Sequence, residues 1–115
     1  GRTAALAELM DIYPTVCDLV GIPVPETVQG ESLRPILTGS GSSVRTAAFA
    51  VNQKAGHFLR TDRWAYMRYR DDSEELYDMK SDPGQFTNLA MDARSAKTKA
   101  ELSEILDRKI KGAVD

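Results

Sequence analysis

The sequence predicts an α+β fold: a four-stranded antiparallel sheet with a packed C-terminal helix, preceded by an N-terminal helical segment. Three observations lead there. Residues 57–61 (HFLRT), 64–70 (WAYMRYR) and 76–79 (LYDM) are short runs rich in aromatic and β-favouring side chains. Thr61-Asp62-Arg63 and Asp71-Asp72-Ser73 are turn-sized links between them, which is the spacing of a meander. Leu102, Ile105, Leu106 and Ile110 recur at helical spacing in a segment that runs from Ala93 or Ala96 to Lys111.

Taken in order, residues 4–10 (AALAELM) form a short apolar run that reads as a strand or as the lead-in to a helix. Asp11 stands where an N-cap belongs, with Pro14 in the first turn, where its missing N–H costs nothing. Ile12, Val16, Leu19 and Val20 form the expected buried stripe of this helix, and Asp11, Thr15 and Asp18 fall on its other side. Gly21 closes it, Pro23 and Pro25 prevent its resumption, and Cys17 is a small hydrophobe at the stripe's edge. Residues 32–37 give one helical turn with Ser32 as cap. Residues 38–43 (TGSGSS) mark the one internal boundary, dividing the chain into 1–43 and 44–115.

Residues 44–53 (VRTAAFAVNQ) supply the first strand, and Lys54-Ala55-Gly56 links it to the meander. Within 64–70, Trp64, Tyr66, Arg68 and Arg70 point to one face and Ala65, Met67 and Tyr69 to the other. Neither face is polar throughout, so the sheet is expected to need cover on both sides. The chain offers one long helix for the purpose. Asp82-Pro83-Gly84 forms a turn, after which Phe86 and Leu89 are expected to pin the loop to the core. On the last helix, Glu104 with Arg108 and Asp107 with Lys111 are expected i,i+4 pairs, worth roughly 0.2–0.5 kcal/mol each.

Composition narrows the function classes. The 115 residues, 42% hydrophobic and 28% charged, suit a globular domain, and a net charge of −2 argues against general nucleic-acid affinity. One cysteine excludes an internal disulfide and a multi-cysteine metal cage. No apolar run approaches the roughly 20 residues of a membrane span. The chain begins at Gly1, which fits a piece of a longer protein.

No nucleophile elbow, phosphate-binding glycine loop or HExxH occurs. His57, the sole histidine, reads as an edge residue before it reads as a cleft residue. Asp71, Asp72, Glu74 and Glu75 lack the alternating oxygens and central glycine of a calcium loop, and read as a solvated hairpin tip. The basic-aromatic run Arg60, Arg63, Trp64, Tyr66, Arg68, Tyr69, Arg70 suggests base stacking, but Trp64 and Tyr66 fit a core better, with Arg68 and Arg70 at its edge.

Four blocks carry a resemblance: LMDIYPTVCDLVGIPVP (9–25), QGESLRPILTG (29–39), HFLRTDRWAYMRY (57–69) and ELYDMKSDPGQFTNLA (75–90). In this order they resemble the C-terminal segment of sulfatases, within the alkaline-phosphatase-like superfamily, similar to bacterial iduronate-2-sulfatase-like enzymes. The chain departs from the family at Gln85, where Glu is common. The resemblance implies a parent that hydrolyses sulfate esters with a formylglycine nucleophile, made from Cys or Ser in C/S-x-P-x-R, and a calcium ion. Neither Cys17 nor Ser81 completes that motif, since Asp18-Leu19-Val20-Gly21 follows the first and Gln85 replaces arginine after the second.

The resemblance thus implies no catalytic residue, metal ligand or cofactor in this chain; 1–43 would end the large α/β domain and 44–115 would form the C-terminal subdomain. The chain by itself is expected to be inactive, with the large domain as its partner and a periplasmic or secreted location for the parent. It would brace the active-site cleft and touch a sulfated sugar through Asn52, Gln53, Lys54, His57 and Arg60, donors suited to an anionic ligand. Two other readings stand beside this one. The first is an independent module binding an acidic glycan or RNA on the Arg/Trp/Tyr strand, and the second is a homodimer formed through an uncovered sheet face.

Overall fold

The computed structural model describes residues 1–114. They fall into two compact units that divide after Ala48. The first holds a 3-10 turn (Leu9–Asp11), helix α1 (Ile12–Val20) and helix α2 (Arg34–Thr38). The second holds the sheet, with β1 (Ala47–Asn52) starting at the boundary, then β2 (Gly56–Thr61), β3 (Trp64–Tyr69), β4 (Glu74–Asp78) and helix α3 (Ala96–Val114). The units part five residues later than the Gly/Ser stretch suggests. Arg45 explains the shift, because its guanidinium pairs with Glu8 at 2.7 Å and with Asp11, both in the first unit.

Asp11 organises that unit. Its side chain is fully buried and does not cap α1. One carboxylate oxygen accepts the Glu8 N–H at 2.7 Å, and the other accepts the Glu31 N–H at 2.9 Å and the Arg45 guanidinium. Thr15 Oγ1 donates to the Asp11 carbonyl at 2.6 Å and accepts the Leu33 N–H at 2.9 Å. Asp18 takes the Ser32 hydroxyl at 2.7 Å and Arg34 at 2.8 Å. The loop runs so close to the 3-10 turn that a Cβ on Gly30 would lie 2.2 Å from the Met10 carbonyl oxygen.

These ties set the helix the opposite way round from the expectation. The face at residues 11, 14, 15 and 18 turns toward its own unit, with Pro14 and Cys17 buried alongside, whereas Ile12, Val16, Leu19 and Val20 are 52–63% exposed. Hydrophobic period locates a stripe but not the side on which a neighbour lies. Here Asp11, Thr15 and Asp18 all find partners, so the inward side is the polar one. Helix α2 begins one residue later than expected, with Leu33 at the N-cap and the Ser32 hydroxyl accepting the Arg34 N–H at 3.2 Å.

The sheet has strand order β1-β2-β3-β4. Register pairs His57 with Arg68, Leu59 with Tyr66, Tyr66 with Leu76 and Arg68 with Glu74, which puts these residues on one face. Helix α3 covers that face. Leu59, Tyr66, Leu76, Leu102 and Leu106 are at most 4% exposed between the two layers. A polar seam borders them: Lys99 meets Glu74 at 2.7 Å, Tyr66 hydroxyl donates to Glu74, and Arg68 meets Asp107 at 2.6 Å. Asp107 therefore serves Arg68 in place of Lys111. The i,i+4 ion pair found on α3 is Lys97–Glu101, at 4.0 Å, in place of the expected Glu104–Arg108. A half-buried guanidinium gains more from a counter-charge than a solvated lysine does.

On the other face, side chains pack on one another while Phe58, Met67 and Tyr69 stay half-buried. Phe58 stacks edge-on to Tyr69 at 6.1 Å, Tyr69 hydroxyl reaches the Met67 sulfur at 3.8 Å, and Ala65 and Tyr77 are buried. The loop after β4 is anchored by backbone chemistry: Asn88 Oδ1 accepts the Leu76 N–H at 3.0 Å, and the Leu89 N–H donates to the Leu76 carbonyl at 2.7 Å. This satisfies the outer edge of the sheet. Phe86, expected to pin the loop, is 90% exposed.

At the opposite end of the meander, Arg63 grips Asp78 through Nη2 at 2.7 Å and Nε at 3.1 Å, and lies 4.9 Å over the Trp64 ring. Arg63, aided by the Lys80 and Ser81 backbone, lowers the Asp78 carboxyl to about 2.

Two outcomes follow. Asp11→Ala, which leaves Arg45 with Glu8 as its carboxylate but takes the acceptor from the Glu8 and Glu31 N–H groups, should cost about 1–3 kcal/mol in urea unfolding; an unchanged stability would contradict the role given to this carboxylate. The Asp78 carboxyl, followed by carbon NMR, should titrate near 2, and Arg63→Gln should move it up toward 3.8. Because the folded value is depressed, the stabilisation is present above the unfolded carboxyl's range and disappears as pH falls through about 2.

Candidate functional site

In a meander, alternate turns come to the same end of the sheet. The β1–β2 and β3–β4 turns therefore lie side by side, and Lys54, Ala55, Tyr69, Arg70, Asp71 and Ser73 line a cleft of about 460 Å³ between them. The first turn is built by Asn52, whose side-chain oxygen accepts the N–H groups of Lys54 at 3.0 Å and Ala55 at 3.2 Å. Gly56, at φ 146°, lets β2 pass against β3 where a Cβ would lie 2.3 Å from the Arg68 carbonyl oxygen. The Arg70 N–H donates to the Ala55 carbonyl at 3.2 Å and joins the two turns.

The second turn places Asp72 in the left-handed region at φ 64°. Asp71 accepts the Ser73 hydroxyl at 2.6 Å and the Ser73 N–H at 3.1 Å, and these bonds hold its carboxyl below the usual range. Burial, followed by the charge of Glu75, raises the Tyr69 phenol. The cleft thus offers two exposed cations, Lys54 and Arg70, beside a carboxylate already engaged by its neighbour. It can hold an anion with oxygen acceptors. No imidazole lines it, and the hydroxyl of Ser73 is taken up by Asp71.

The five residues expected to touch a ligand do not converge. Asn52 builds the turn, and Gln53 and Lys54 are exposed at its tip. His57 is half-buried on the face that α3 covers and stacks on Phe49 at 6.1 Å. Arg60 pairs with Ala65 and so lies on the opposite face, with its buried Nη1 lacking a hydrogen-bond partner. Of the five, Lys54 lines the cleft. In the sequence, Arg70, Asp71 and Ser73 read only as core edge and hairpin tip; the meander order that places them beside Lys54 is the signal that could have found them.

The Arg/Trp/Tyr strand presents no open stacking platform. Trp64 lies under Arg63, Tyr66 is fully buried and Arg68 is engaged by α3. Among the described residues, no three His, Cys, Asp or Glu side chains gather as a metal site, and no helix is long and apolar enough to cross a membrane. Cys17 is buried and free, inside α1. These donors do not fit a calcium ion, and neither Cys17 nor Ser81 stands in a formylglycine motif.

An antiparallel sheet of this order, one long C-terminal helix and a preceding helical unit together define a sulfatase C-terminal segment. The chain belongs to the family described as N-sulphoglucosamine sulphohydrolase, C-terminal, whose family model matches residues 1–112. It is 38% identical over 108 residues to a Delta 4,5-hexuronate-2-O-sulfatase of Bacteroides thetaiotaomicron, matching 85% of this chain and 22% of that protein. It superposes on a solved 2-O GAG sulfatase with TM-score 0.81 and 37% identity, over 91% of this chain and 25% of that one. A second structure, solved with its substrate D-glucosamine-2-N,6-O-disulfate, gives TM-score 0.76 at 32% identity, over 88% of this chain and 23% of that one. The chain spans about a quarter or less of these relatives.

Proposed function

We propose that this chain is the C-terminal part of a sulfuric ester hydrolase, that it breaks no bond itself, and that it braces the parent's active-site cleft. In this reading Lys54 and Arg70 hold an anionic group of a sulfated carbohydrate. The observation that carries it is the meeting of two exposed cations, from turns far apart in sequence, in one cleft of a chain belonging to this family. Arg70 offers a planar fork suited to two oxygens of a sulfate or carboxylate, and Lys54 a movable point charge. The Ser73 hydroxyl and N–H both donate to Asp71, which occupies that carboxylate with donors of its own turn.

The rest of the parent supplies the chemistry. A formylglycine would provide the nucleophile and calcium would stabilise the sulfate charge, each held by residues outside this chain. The part played here is positional: a cation pair on a rigid pair of turns orients the sugar before reaction. A periplasmic or secreted parent goes with that substrate class.

Incubated with calcium and 4-nitrophenyl sulfate, the 115-residue chain should show no turnover above background; sustained hydrolysis would overturn its non-catalytic role. In the parent enzyme, Lys54→Ala and Arg70→Ala should each weaken substrate binding by about 1 kcal/mol, roughly fivefold in KM, with kcat kept. Raising ionic strength should shrink both effects. Unchanged KM in the double variant would remove the cleft from substrate binding.

A further inference from the structure

Three tyrosines stand on the meander, and they differ in what covers them. Tyr66 is fully buried under α3, and Tyr77 is buried with its hydroxyl on Glu75 at 3.0 Å. Tyr69 is half-buried and lines the cleft together with Lys54, Ala55, Arg70, Asp71 and Ser73. Register sets Gly56 directly across from it, so no side chain stands there; a Cβ at 56 would lie 2.8 Å from the Tyr69 Cα. The ring is also fixed. Phe58 meets it at 83° with centroids 6.1 Å apart, and the hydroxyl reaches the Met67 sulfur at 3.8 Å. A held aromatic ring with a cation on each of two turns is more than a lone anion requires. The cleft, at about 460 Å³, falls within the roughly 300–1,000 Å³ of small-molecule sites.

We infer that Tyr69 is a specificity-determining residue: its ring is the platform on which a pyranose packs while Lys54 and Arg70 hold the sulfate or carboxylate that the sugar carries. The inference rests on the proposed function and adds the ring to the two cations. A pyranose presents a row of C–H groups on one face, and these slightly positive hydrogens suit the negative face of an aromatic ring. Its anionic substituents project from the rim of the sugar, where cations at the walls of a cleft can reach them. A tyrosine supplies this area at small entropic cost, because few torsions are left to freeze. Single-stranded nucleic acid also uses a ring and cations, but the chain's net charge of −2 disfavours a phosphate backbone.

Every lining residue comes from the second unit, so the 115-residue chain should carry the site whole. Titrated by NMR with a heparin disaccharide sulfated on both sugars, it should show shifts at the Lys54 and Arg70 side chains and NOEs from sugar C–H protons to the Tyr69 ring. Inorganic sulfate should move the signals of the two cations and leave that ring untouched. Tyr69→Leu should weaken the disaccharide about fivefold and sulfate not at all, while Tyr69→Phe should match the unsubstituted chain. Absence of the NOEs, which need no variant, or an unchanged disaccharide affinity in Tyr69→Leu would overturn the inference and leave the cation pair in place. Equal losses in Tyr69→Leu and Tyr69→Phe would assign the effect to the hydroxyl and overturn it as well. If neither the disaccharide nor sulfate moves the Lys54 or Arg70 signals, the proposed role of the cleft fails too. Tighter binding of hexathymidylate than of the disaccharide would overturn the choice of carbohydrate.

Discussion

A single buried carboxylate governs the first unit of this protein. Asp11 gathers the Glu8 and Glu31 N–H groups and the Arg45 guanidinium, so residues far apart in the chain meet at one point. A charge without access to water must be surrounded by donors, and this requirement outweighs the pull to bury an aliphatic stripe. The first helix therefore lies polar side in. Its exposed valines and leucines are a consequence of where the donors are, not a failure of packing.

The second unit relies on a different arrangement. A dry layer of Leu59, Tyr66, Leu76, Leu102 and Leu106 lies between sheet and helix, and the Glu74–Lys99 and Arg68–Asp107 pairs run along its border. The dry layer supplies most of the stabilisation, because removing apolar area from water outweighs what half-exposed ion pairs contribute. The charged border adds direction, since an α3 displaced along its axis would lose both pairs. On the far face, aromatic rings packed against one another and a tyrosine hydroxyl bonded to Glu75 limit what is left open to water.

In the proposed reading this segment is a support with a contact. It brings two cations together on turns stiffened by Asn52, Gly56 and the Arg70–Ala55 bond, and it gathers no metal ligands among its described residues. A rigid pair of turns suits positioning better than a mobile loop, because the geometry is set before the ligand arrives.

Read alone, the amino-acid order determined the four strands, the three turns between them, the long last helix and the membership of a sulfatase C-terminal segment. Alternation, turn residues and helical spacing are local, so one chain is enough to display them. It also singled out Lys54, which lines the cleft. Tertiary structure decided what depends on partners distant in sequence. It turned α1 over, because Asp11 found its donors at residues 31 and 45. It brought Arg70 and Ser73 beside Lys54. A periodic pattern records that two sides of an element differ; which side meets protein and which meets water is settled only when long-range hydrogen bonds and ion pairs have chosen their partners.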